Sequence, residues 1–387
     1  MRICLVTLDF TPFRSSGLTV YVERLARRLA ERGHQITVIA ADRPKTTQAD
    51  VIPMPDNVQV LRVPVGSLDW IALGWQAARY LHWHRSDFDV IHFADVHFAY
   101  AYSDRFVASA FQSFRQRLTS HRGRPYYSNW RNYLFRLIYY NVARRMMEQP
   151  AVRRATFLIM SSATTQQEFI KYYQVDPART VLIYPGIDLS RFEGLPEQDK
   201  ARRYLGLPSD GPILLYVGFS TPRKGVEYLA QALTRMKTPA YLVMVGKWEP
   251  NYQQRFLDAL GDTIARVRLV GYVPEADLPI YFAAADVFVL PTLLEGFGIP
   301  LVEAMAAGLP VVTTRGGAAS EVVGDAGIVV PAGDSEALAR ALDYVLTDPD
   351  VARQLRYAGR HRARTMFDDR RAAAEVEVVY SRFMDQL

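Results

Sequence analysis

Short apolar runs alternate along the first half of the chain with stretches that have helical periodicity, a pattern that predicts a parallel β-sheet covered by helices. Residues 18–32 predict a helix with Tyr21, Leu25 and Leu29 on its apolar face. The runs that predict strands are Arg2–Phe10, Gln35–Ala41, Val58–Val63, Asp89–Phe93, Thr156–Ser161 and Thr180–Tyr184.

The same alternation resumes after a stretch rich in glycine, proline and charge, residues 185–212, which predicts an interdomain connection. We therefore expect an α/β protein with two Rossmann-like domains, 1–185 and 186–369, in which a helix at 370–387 returns to the first domain. The second series comprises strands Ile213–Val217, Tyr241–Val245, Val267–Leu269, Val287–Leu290 and Val311–Thr314, with helices Lys224–Leu233 and Leu301–Ala307.

Composition narrows the class of protein. The 387 residues are 49% hydrophobic and 22% charged, which is ordinary for a globular chain. Cys4 is the only cysteine, so an intrachain disulfide and a cysteine-based zinc site are excluded. The first residues predict a strand rather than a signal peptide, and Asp286 interrupts the longest apolar run. These features predict a cytoplasmic protein and leave peripheral membrane contact open.

The net charge of +6 is concentrated in one segment. Residues 101–154 contain eleven arginines and two acidic residues, a local charge of +9, and many aromatic residues. Such a surface suits anionic lipid head groups or a phosphorylated or acidic glycan, and the alternative is a packed helical insert with solvated arginines. No recognition motif for nucleic acid accompanies it. The residues that we assign to acceptor or membrane contact are Arg131, Arg136, Tyr140 and Arg144.

That insert has two stripes at helical spacing. Tyr133, Arg136, Tyr140 and Arg144 lie on one, and Phe135, Ile138, Val142 and Met146 lie on the other.

The most specific motif is PTLLEGFGIPLVEAMAAGLPVV, residues 291–312. A strand ends before it, and Pro300 suits the first turn of the helix that follows. Glycines permit close approach of a ligand to the backbone, and a helix N-terminus favours an anion. Glu295 and Glu303 would face the carboxyl ends of the strands, where two carboxylates suit sugar hydroxyls.

A second motif, YVGFSTPRKGVEYL at 216–229, combines a strand, a glycine loop and a helix start. It places Arg223 and Lys224 where a phosphate would bind. Neither half has G-x-G-x-x-G after its first strand, which disfavours a dinucleotide oxidoreductase.

These motifs resemble those of the GT-B retaining glycosyltransferases of family 4, the glycogen-synthase-like and mannosyltransferase-like enzymes. The opening strand, glycine loop and helix, then YPGIDLSRF at 184–192, and then VMVGKW, LVGYVP, TRGGAASEVV and AGIVVPAGD occur in the family's order. The resemblance implies two Rossmann-like domains that face each other across a donor cleft. It also implies sugar transfer from a nucleotide-sugar (UDP-, GDP- or ADP-linked) with retention, without a cofactor or an obligatory metal.

The resemblance also implies roles for single residues. Lys224 would bind the donor diphosphate, with Arg223 beside it, and Glu303 would bind the ribose. Glu295 would bind the transferred sugar. The predicted backbone contacts are Gly296, Phe297 and Gly298 for the sugar, Gly271 and Tyr272 for the base, and Gly17 for the phosphate.

This chain departs from the family pattern at two places. Phe219 stands where the family usually has an arginine, and Ser16-Gly17 replaces a glycine pair in the opening loop. Arg223 is the candidate replacement for the missing arginine. Phe219 also motivates the alternative of an inactive nucleotide-sugar-binding protein, and a glycogen- or sucrose-type transferase with a soluble acceptor is a further alternative.

The first half should supply the polar group near the reacting carbon. DVIHFADVHFAY, residues 89–100, ends a predicted strand and offers three candidates. His92 lies inside the strand, which favours a core histidine. Asp95 and His97 lie beyond the strand end, and we predict that Asp95 is catalytic together with Glu295 and Lys224.

Overall fold

The computed structural model describes residues 1–12, 17–42, 53–66, 69–118 and 130–386, without the side chains of 130–133. The chain forms two compact units. The first unit combines Met1–Leu118, Trp130–Ile187 and Asp368–Leu387, and the second runs from Asp188 to Phe367.

The first unit is built on a parallel sheet, to which the described residues contribute seven strands in the order β3-β2-β1-β4-β5-β6-β7. These strands are β1 (Arg2–Thr7), β2 (Gln35–Asp42), β3 (Val58–Pro64), β4 (Val90–Phe93), β5 (Val107–Ala110), β6 (Phe157–Met160) and β7 (Thr180–Leu182). Alternate side chains of β1 enter opposite layers of the core, as the pleat of a strand requires. Cys4 and Val6 pack on one face, and Ile3 and Leu5 pack on the other.

Helices cover both faces of this sheet. They are α1 (Gly17–Glu31), α2 (Asp69–Trp83), α3 (Phe114–Leu118), α4 (Trp130–Ala143), α5 (Gln149–Arg154), α6 (Ala163–Tyr173) and α15 (Asp369–Met384). The predicted apolar face of α1 is confirmed, because Tyr21, Leu25 and Leu29 are all buried. Helix α15 packs against α1, with Tyr380 and Phe383 in the same core.

The second unit has its own parallel sheet, whose described strands follow the order β10-β9-β8-β11-β12-β13. The strands are β8 (Ile213–Val217), β9 (Tyr241–Val245), β10 (Val267–Gly271), β11 (Val287–Leu290), β12 (Val311–Thr314) and β13 (Ile328–Val330). The helices are α7 (Gln198–Leu205), α8 (Val226–Arg235), α9 (Tyr252–Asp258), α10 (Leu278–Ala284), α11 (Ile299–Ala307), α12 (Ala319–Val323), α13 (Ser335–Thr347) and α14 (Pro349–Met366).

The segment predicted as an interdomain connection is more structured than its composition suggests. It carries α7, and from Asp188 onward it belongs to the second unit. Arg202 of α7 explains the difference, because it is 5% exposed and its Nη2 donates to Asp286 Oδ2 at 2.6 Å. A residue that composition alone marks as a surface cation is therefore part of the packing.

Each unit is thus an α/β sandwich of the Rossmann type, with parallel strands between layers of helices. Among the helices that the structure describes, we find none that combines the length and the apolar character needed to cross a membrane.

Candidate active site

The order of strands in the second unit locates its ligand-binding edge. Strand β8 pairs with β11, and successive strands leave this pair in opposite directions. In open α/β sheets the carboxyl ends of the strands at such a switch point form the ligand crevice. The loops that follow β8 and β11 contain Arg223-Lys224 and Glu295, the residues predicted from the two sequence motifs.

Lys224 and Glu295 form a buried ion pair at this edge. The Lys224 ammonium donates a short hydrogen bond to Glu295 Oε2, and the two side chains are 8% and 9% exposed. Arg223 lies beside them, with its Nη1 3.6 Å from Glu295 Oε1 and donating to the Leu294 carbonyl at 3.1 Å. Two cations and one carboxylate therefore share one crevice.

The electrostatics favour an ionised Glu295. Burial alone would raise the pKa of its carboxyl, but Lys224 and Arg223 outweigh that effect, and the pKa lies below its ordinary value. Burial lowers the pKa of the Lys224 ammonium, and Glu295 offsets part of that change. Since an ammonium has three donors, Lys224 has hydrogen-bonding capacity beyond its bond to Glu295.

Two glycines allow the loops to take this shape. Gly225 has φ +63°, and a Cβ there would lie 2.2 Å from the Pro291 carbonyl oxygen, so the two loops would be forced apart. Gly298 has φ +100° and immediately precedes α11. Helix α11 therefore begins at the end of the glycine loop, where its N-terminus carries a partial positive charge.

Glu303, the predicted ribose ligand, lies in α11 and is 5% exposed. Arg191 Nη1 approaches Glu303 Oε1 at 3.3 Å and Glu275 Oε1 at 2.9 Å, and Arg191 Nη2 donates to the Glu275 carbonyl at 2.6 Å. Arg191 belongs to the YPGIDLSRF segment, whose sequence pattern predicts no role for this arginine. The structure shows that this arginine orients Glu303.

The predicted base-binding residues end β10. Gly271 is its last residue and has φ +81°, and its carbonyl accepts from Gly246 N at 2.7 Å. The next residue, Tyr272, is 44% exposed, and Lys247 Nζ lies 5.4 Å from the centre of its ring. Phe219 is 47% exposed, so an aromatic surface stands where the family has an arginine.

The loop between Glu295 and α11 consists of two glycines and a phenylalanine. Phe297 is buried, with its ring centre 5.6 Å from that of Phe367. Gly296 N donates to Glu295 Oε1 at 3.3 Å. The second unit therefore holds every predicted donor-binding residue except Gly17, which begins α1 in the first unit.

The acceptor-side candidates of the first unit are buried. Asp95 begins a short 3₁₀ turn, Val96–Ala99, and its carboxylate accepts from the backbone N–H and the ring of His97. His92 is 0% exposed and hydrogen-bonds Tyr380 at 2.7 Å and Ser109 at 2.9 Å, and burial lowers its pKa to about 3. The prediction of a core histidine at position 92 is confirmed.

The basic and aromatic insert differs from its prediction in two respects. It contains β5, a buried strand of the first sheet, and one of its predicted surface residues is buried as well. Tyr140, which we assigned to the surface, is buried, because its ring stacks on Phe114 with the centroids 5.5 Å apart. Arg136 and Arg144 are half-buried, with Arg136 Nη1 3.5 Å from the Tyr140 hydroxyl and Arg144 Nη2 3.5 Å from Asn141 Oδ1. The side chain of Arg131 lies outside the described residues.

The other stripe of the insert faces solvent. Phe135, Ile138, Val142 and Met146 are exposed by 68%, 58%, 50% and 71%. Four large apolar side chains on one helical face, all at least half exposed, form a surface that a monomeric domain does not ordinarily present to water.

Two family models account for most of the chain. The model of glycosyl transferases group 1 matches residues 197–362, and the model of glycosyltransferase family 4 matches residues 15–191. The chain belongs to the GT-B glycosyltransferases. This assignment confirms the resemblance from the motifs, and each family model falls almost entirely within one of the two compact units.

Relatives of this glycosyltransferase agree with the assignment. An MMP α-(1→4)-mannosyltransferase of Mycolicibacterium hassiacum is 28% identical, over 99% of this chain and 98% of that protein. A D-inositol 3-phosphate glycosyltransferase of Corynebacterium urealyticum is 27% identical, over 95% and 93%. Among solved structures, sucrose-phosphate synthase from Thermosynechococcus elongatus has the same fold, with a TM-score of 0.81, 23% identity and both chains covered completely.

Proposed function

We propose that this glycosyltransferase moves a sugar from a nucleotide-sugar to a glycan, phosphorylated or lipid-linked acceptor, with retention of the anomeric configuration. One observation carries the proposal. Two cations and the buried Glu295 carboxylate meet at the switch point of the second sheet, and α11, which carries the buried Glu303, begins at the end of the same loop. Cations suit a diphosphate, and carboxylates suit the hydroxyls of a ribose and of a sugar.

The proposed chemistry is stabilisation of a diphosphate leaving group. When the glycosidic bond to the donor phosphate breaks, negative charge develops on that phosphate. Lys224, Arg223 and the N-terminus of α11 are held by the fold before the reaction, so they would stabilise this charge without reorganising. One such fixed donor is typically worth about 3–4 kcal/mol in the transition state. Because these groups supply the positive charge that the phosphate needs, they support transfer without an obligatory metal ion.

The carboxylates would orient the donor. Glu303, held by Arg191, would accept from the ribose hydroxyls, and Glu295 would accept from hydroxyls of the transferred sugar through its Oε1. The backbone at Gly271 and Tyr272 would bind the base. Retention is proposed from family membership, and in the first unit Asp95 remains our candidate for the polar group on the acceptor side.

Two observations support a glycan, phosphorylated or lipid-linked acceptor. The names of the aligned relatives specify an inositol phosphate in one case and a mannosyl transfer in the other. The solvent-facing stripe, which runs from α4 into the π-helical turn Arg144–Glu148, supports a lipid-linked acceptor at an anionic membrane. The exposed Arg145 and Arg153 lie near it in sequence and match the charge of the lipid head groups. We propose peripheral binding in which this stripe enters the interface.

The reaction is tested with purified full-length protein in EDTA. UDP-glucose, GDP-mannose and ADP-glucose are offered with octyl α-mannoside and glucose 6-phosphate, and nucleoside diphosphate release is followed together with the product's anomeric configuration by NMR. Acceptor-dependent release with a retained α-configuration supports the proposal. Inversion would overturn retention, and binding of a nucleotide-sugar without any turnover would favour the inactive binding protein.

Membrane binding is tested with co-sedimentation on vesicles of phosphatidylglycerol and of phosphatidylcholine. Ile138→Ser combined with Phe135→Ser should abolish sedimentation with the anionic vesicles. Tyr357→Ser is the matched control, because Tyr357 is 75% exposed but lies on α14 of the second unit. Equal binding of all three proteins would contradict the proposed surface.

A further inference from the structure

A buried cluster of ionisable groups includes two residues of the loop that follows β4, Asp95 and His97. His97 stands between two carboxylates: its Nδ1 contacts Asp95, and its Nε2 lies 2.8 Å from Glu148 Oε1. The side chains of His97, Asp95 and Glu148 are 4%, 9% and 0% exposed. Because a carboxylate faces each ring nitrogen, both nitrogens donate, and the ring is an imidazolium.

Glu148 connects this loop to two further elements. Its Oε1 also accepts from Phe114 N at 2.9 Å, and its Oε2 accepts a short hydrogen bond from the Tyr173 hydroxyl. One carboxylate therefore ties the loop after β4 to α3 and α6. Glu148 is the last residue of a π-helical turn, Arg144–Glu148, between α4 and α5. Such turns are rare and occur frequently at functional sites.

Packing does not account for this arrangement. A fully buried carboxylate is costly even when it is paired, and apolar residues of similar volume would often stabilise the domain as well or better. The loop that the cluster holds occupies a particular place. Strand β4 pairs with β1 at the switch point of the first sheet, so the loop lies where open α/β sheets bind ligands.

We propose that Glu148 is a positioning residue for the acceptor side: through the His97 imidazolium it holds the Asp95 carboxylate in the orientation that acceptor transfer requires. This inference rests on the proposed function, in which Asp95 is the acceptor-side polar group. It adds a residue that acts only through His97 and that touches no substrate. Besides His97, the groups around the cluster that bear charge or a hydroxyl are Asp95, Glu148, Tyr173, Ser113 and Arg117.

The test compares Glu148→Gln and His97→Gln with the wild type in acceptor-dependent transfer from the donor that supports turnover. Each variant should lower kcat by about 10- to 100-fold, since a small misplacement of a reacting group costs this much. The Kd for the nucleoside diphosphate should not change, because all the proposed donor residues except Gly17 lie in the second unit, and the described hydrogen bonds of the cluster do not involve Gly17. The double variant should lose no more than either single variant, because both changes break the same connection.

Two matched variants separate positioning from general loosening of the fold. Tyr173→Phe removes one partner of Glu148 but leaves its contact with His97, so kcat should stay within about twofold of the wild type. Glu168→Gln changes a neighbouring carboxylate that binds Arg115 and Ser113 instead, and it should also be neutral. Additive losses in the double variant, or an equal loss in Tyr173→Phe, would overturn the proposal.

A readout independent of turnover keeps the two hypotheses distinguishable. In the wild-type protein with ¹⁵N-labelled histidine, NMR at pH 7.5 should show both ring nitrogens of His97 protonated, and Glu148→Gln should shift the loss of this signature to a lower pH, because one of the two carboxylates that raise the pKa of His97 is gone. If the wild type transfers no sugar but shows the signature, the proposed function fails and the cluster stands as described. If the wild type transfers sugar and both single variants keep its kcat, the positioning role is wrong.

Discussion

The buried Lys224–Glu295 pair leads to a quantitative prediction about stability. The perturbation is Glu295→Ala, which leaves the Lys224 ammonium buried beside Arg223 without its carboxylate. Breaking a buried pair by removing one partner costs about 3–5 kcal/mol, because an uncompensated charge stays in a medium of low polarity. The side chains are only 8% and 9% exposed, so solvent screening reduces this figure little.

The geometry also predicts an asymmetry between the two partners. Lys224→Met leaves Glu295 with Arg223 Nη1 3.6 Å away, so one favourable interaction remains. Glu295→Ala leaves two cations facing each other. We therefore expect Glu295→Ala to destabilise the second unit more than Lys224→Met does, and the double variant to recover part of the loss.

Differential scanning calorimetry of the full chain measures the effect. For a unit of about this size, 1 kcal/mol shifts Tm by roughly 2–4 °C, so Glu295→Ala should lower the transition of the second unit by about 6–20 °C. The pKa of Glu295 lies below its ordinary 4.5, so its contribution is complete above that pH. The difference from the wild type should therefore shrink as the pH falls through the folded pKa.

Two results would refute this reasoning. The first is a change of less than about 1 kcal/mol for Glu295→Ala at pH 7, which is the size of an exposed pair. The second is a double variant whose loss equals the sum of the single losses, because residues in direct contact should couple by about 0.5–3 kcal/mol.

Three further predictions concern the first unit. Burial alone would lower the pKa of His97, but the carboxylates beside it outweigh burial and raise this pKa from 6.5 to about 9. The protonated ring should therefore stabilise the fold by about 3 kcal/mol below pH 6.5, and this stabilisation should be lost as the pH rises through 9. Urea unfolding measured between these pH values would contradict the prediction if the free energy of unfolding stayed constant. Tyr380→Phe removes the hydroxyl that hydrogen-bonds His92 and should cost about 1–3 kcal/mol in the same assay, whereas a neutral effect would mean that the bond is not made. Burial raises the pKa of the Cys4 thiol, so the native protein should not react with a disulfide reagent until it unfolds, and fast labelling of the native state would show that Cys4 is accessible.

The sequence predicted most strands of the two sheets because buried parallel strands are short, continuous apolar runs, but it did not predict β5 or β13. Ile213–Val217, Tyr241–Val245, Val287–Leu290 and Val311–Thr314 have the predicted bounds. Elements with a mixed surface were harder to predict. Helix α2 carries exposed Trp75 and Trp83 on the side opposite its buried residues, and it was not predicted.

The candidate site was predicted where a motif ties residue types to a loop and a helix start. Lys224 and Glu295 were placed at one site, but their direct pairing was not foreseen, since it depends on how two loops 71 residues apart approach each other. Arg191 and Glu148 were missed for the same reason. Each acts through a partner that is distant in sequence, and no local pattern marks a charged residue as buried.

In the insert, periodicity predicted which residues share a helical face but not which face is buried. Both stripes of α4 were visible in the sequence, and the aromatic and basic stripe was assigned to the surface. The stacking of Tyr140 on Phe114 turns that tyrosine inward and leaves Phe135 and Met146 exposed. The direction of a helical face depends on what packs against it, which the sequence of the helix does not contain.

The central claim is a nucleotide-sugar site at the ends of β8 and β11. Isothermal titration of the full chain with UDP, GDP and ADP in EDTA tests it most directly, with Glu303→Ala beside the wild type and Glu321→Ala, a half-buried residue of α12, as the control. The wild type should bind one of the three nucleotides, and Glu303→Ala should weaken that binding about 10- to 100-fold, the equivalent of one or two hydrogen bonds to a charged group. The control should bind as the wild type does. Binding of none of the nucleotides, or equal binding by Glu303→Ala, would contradict the account.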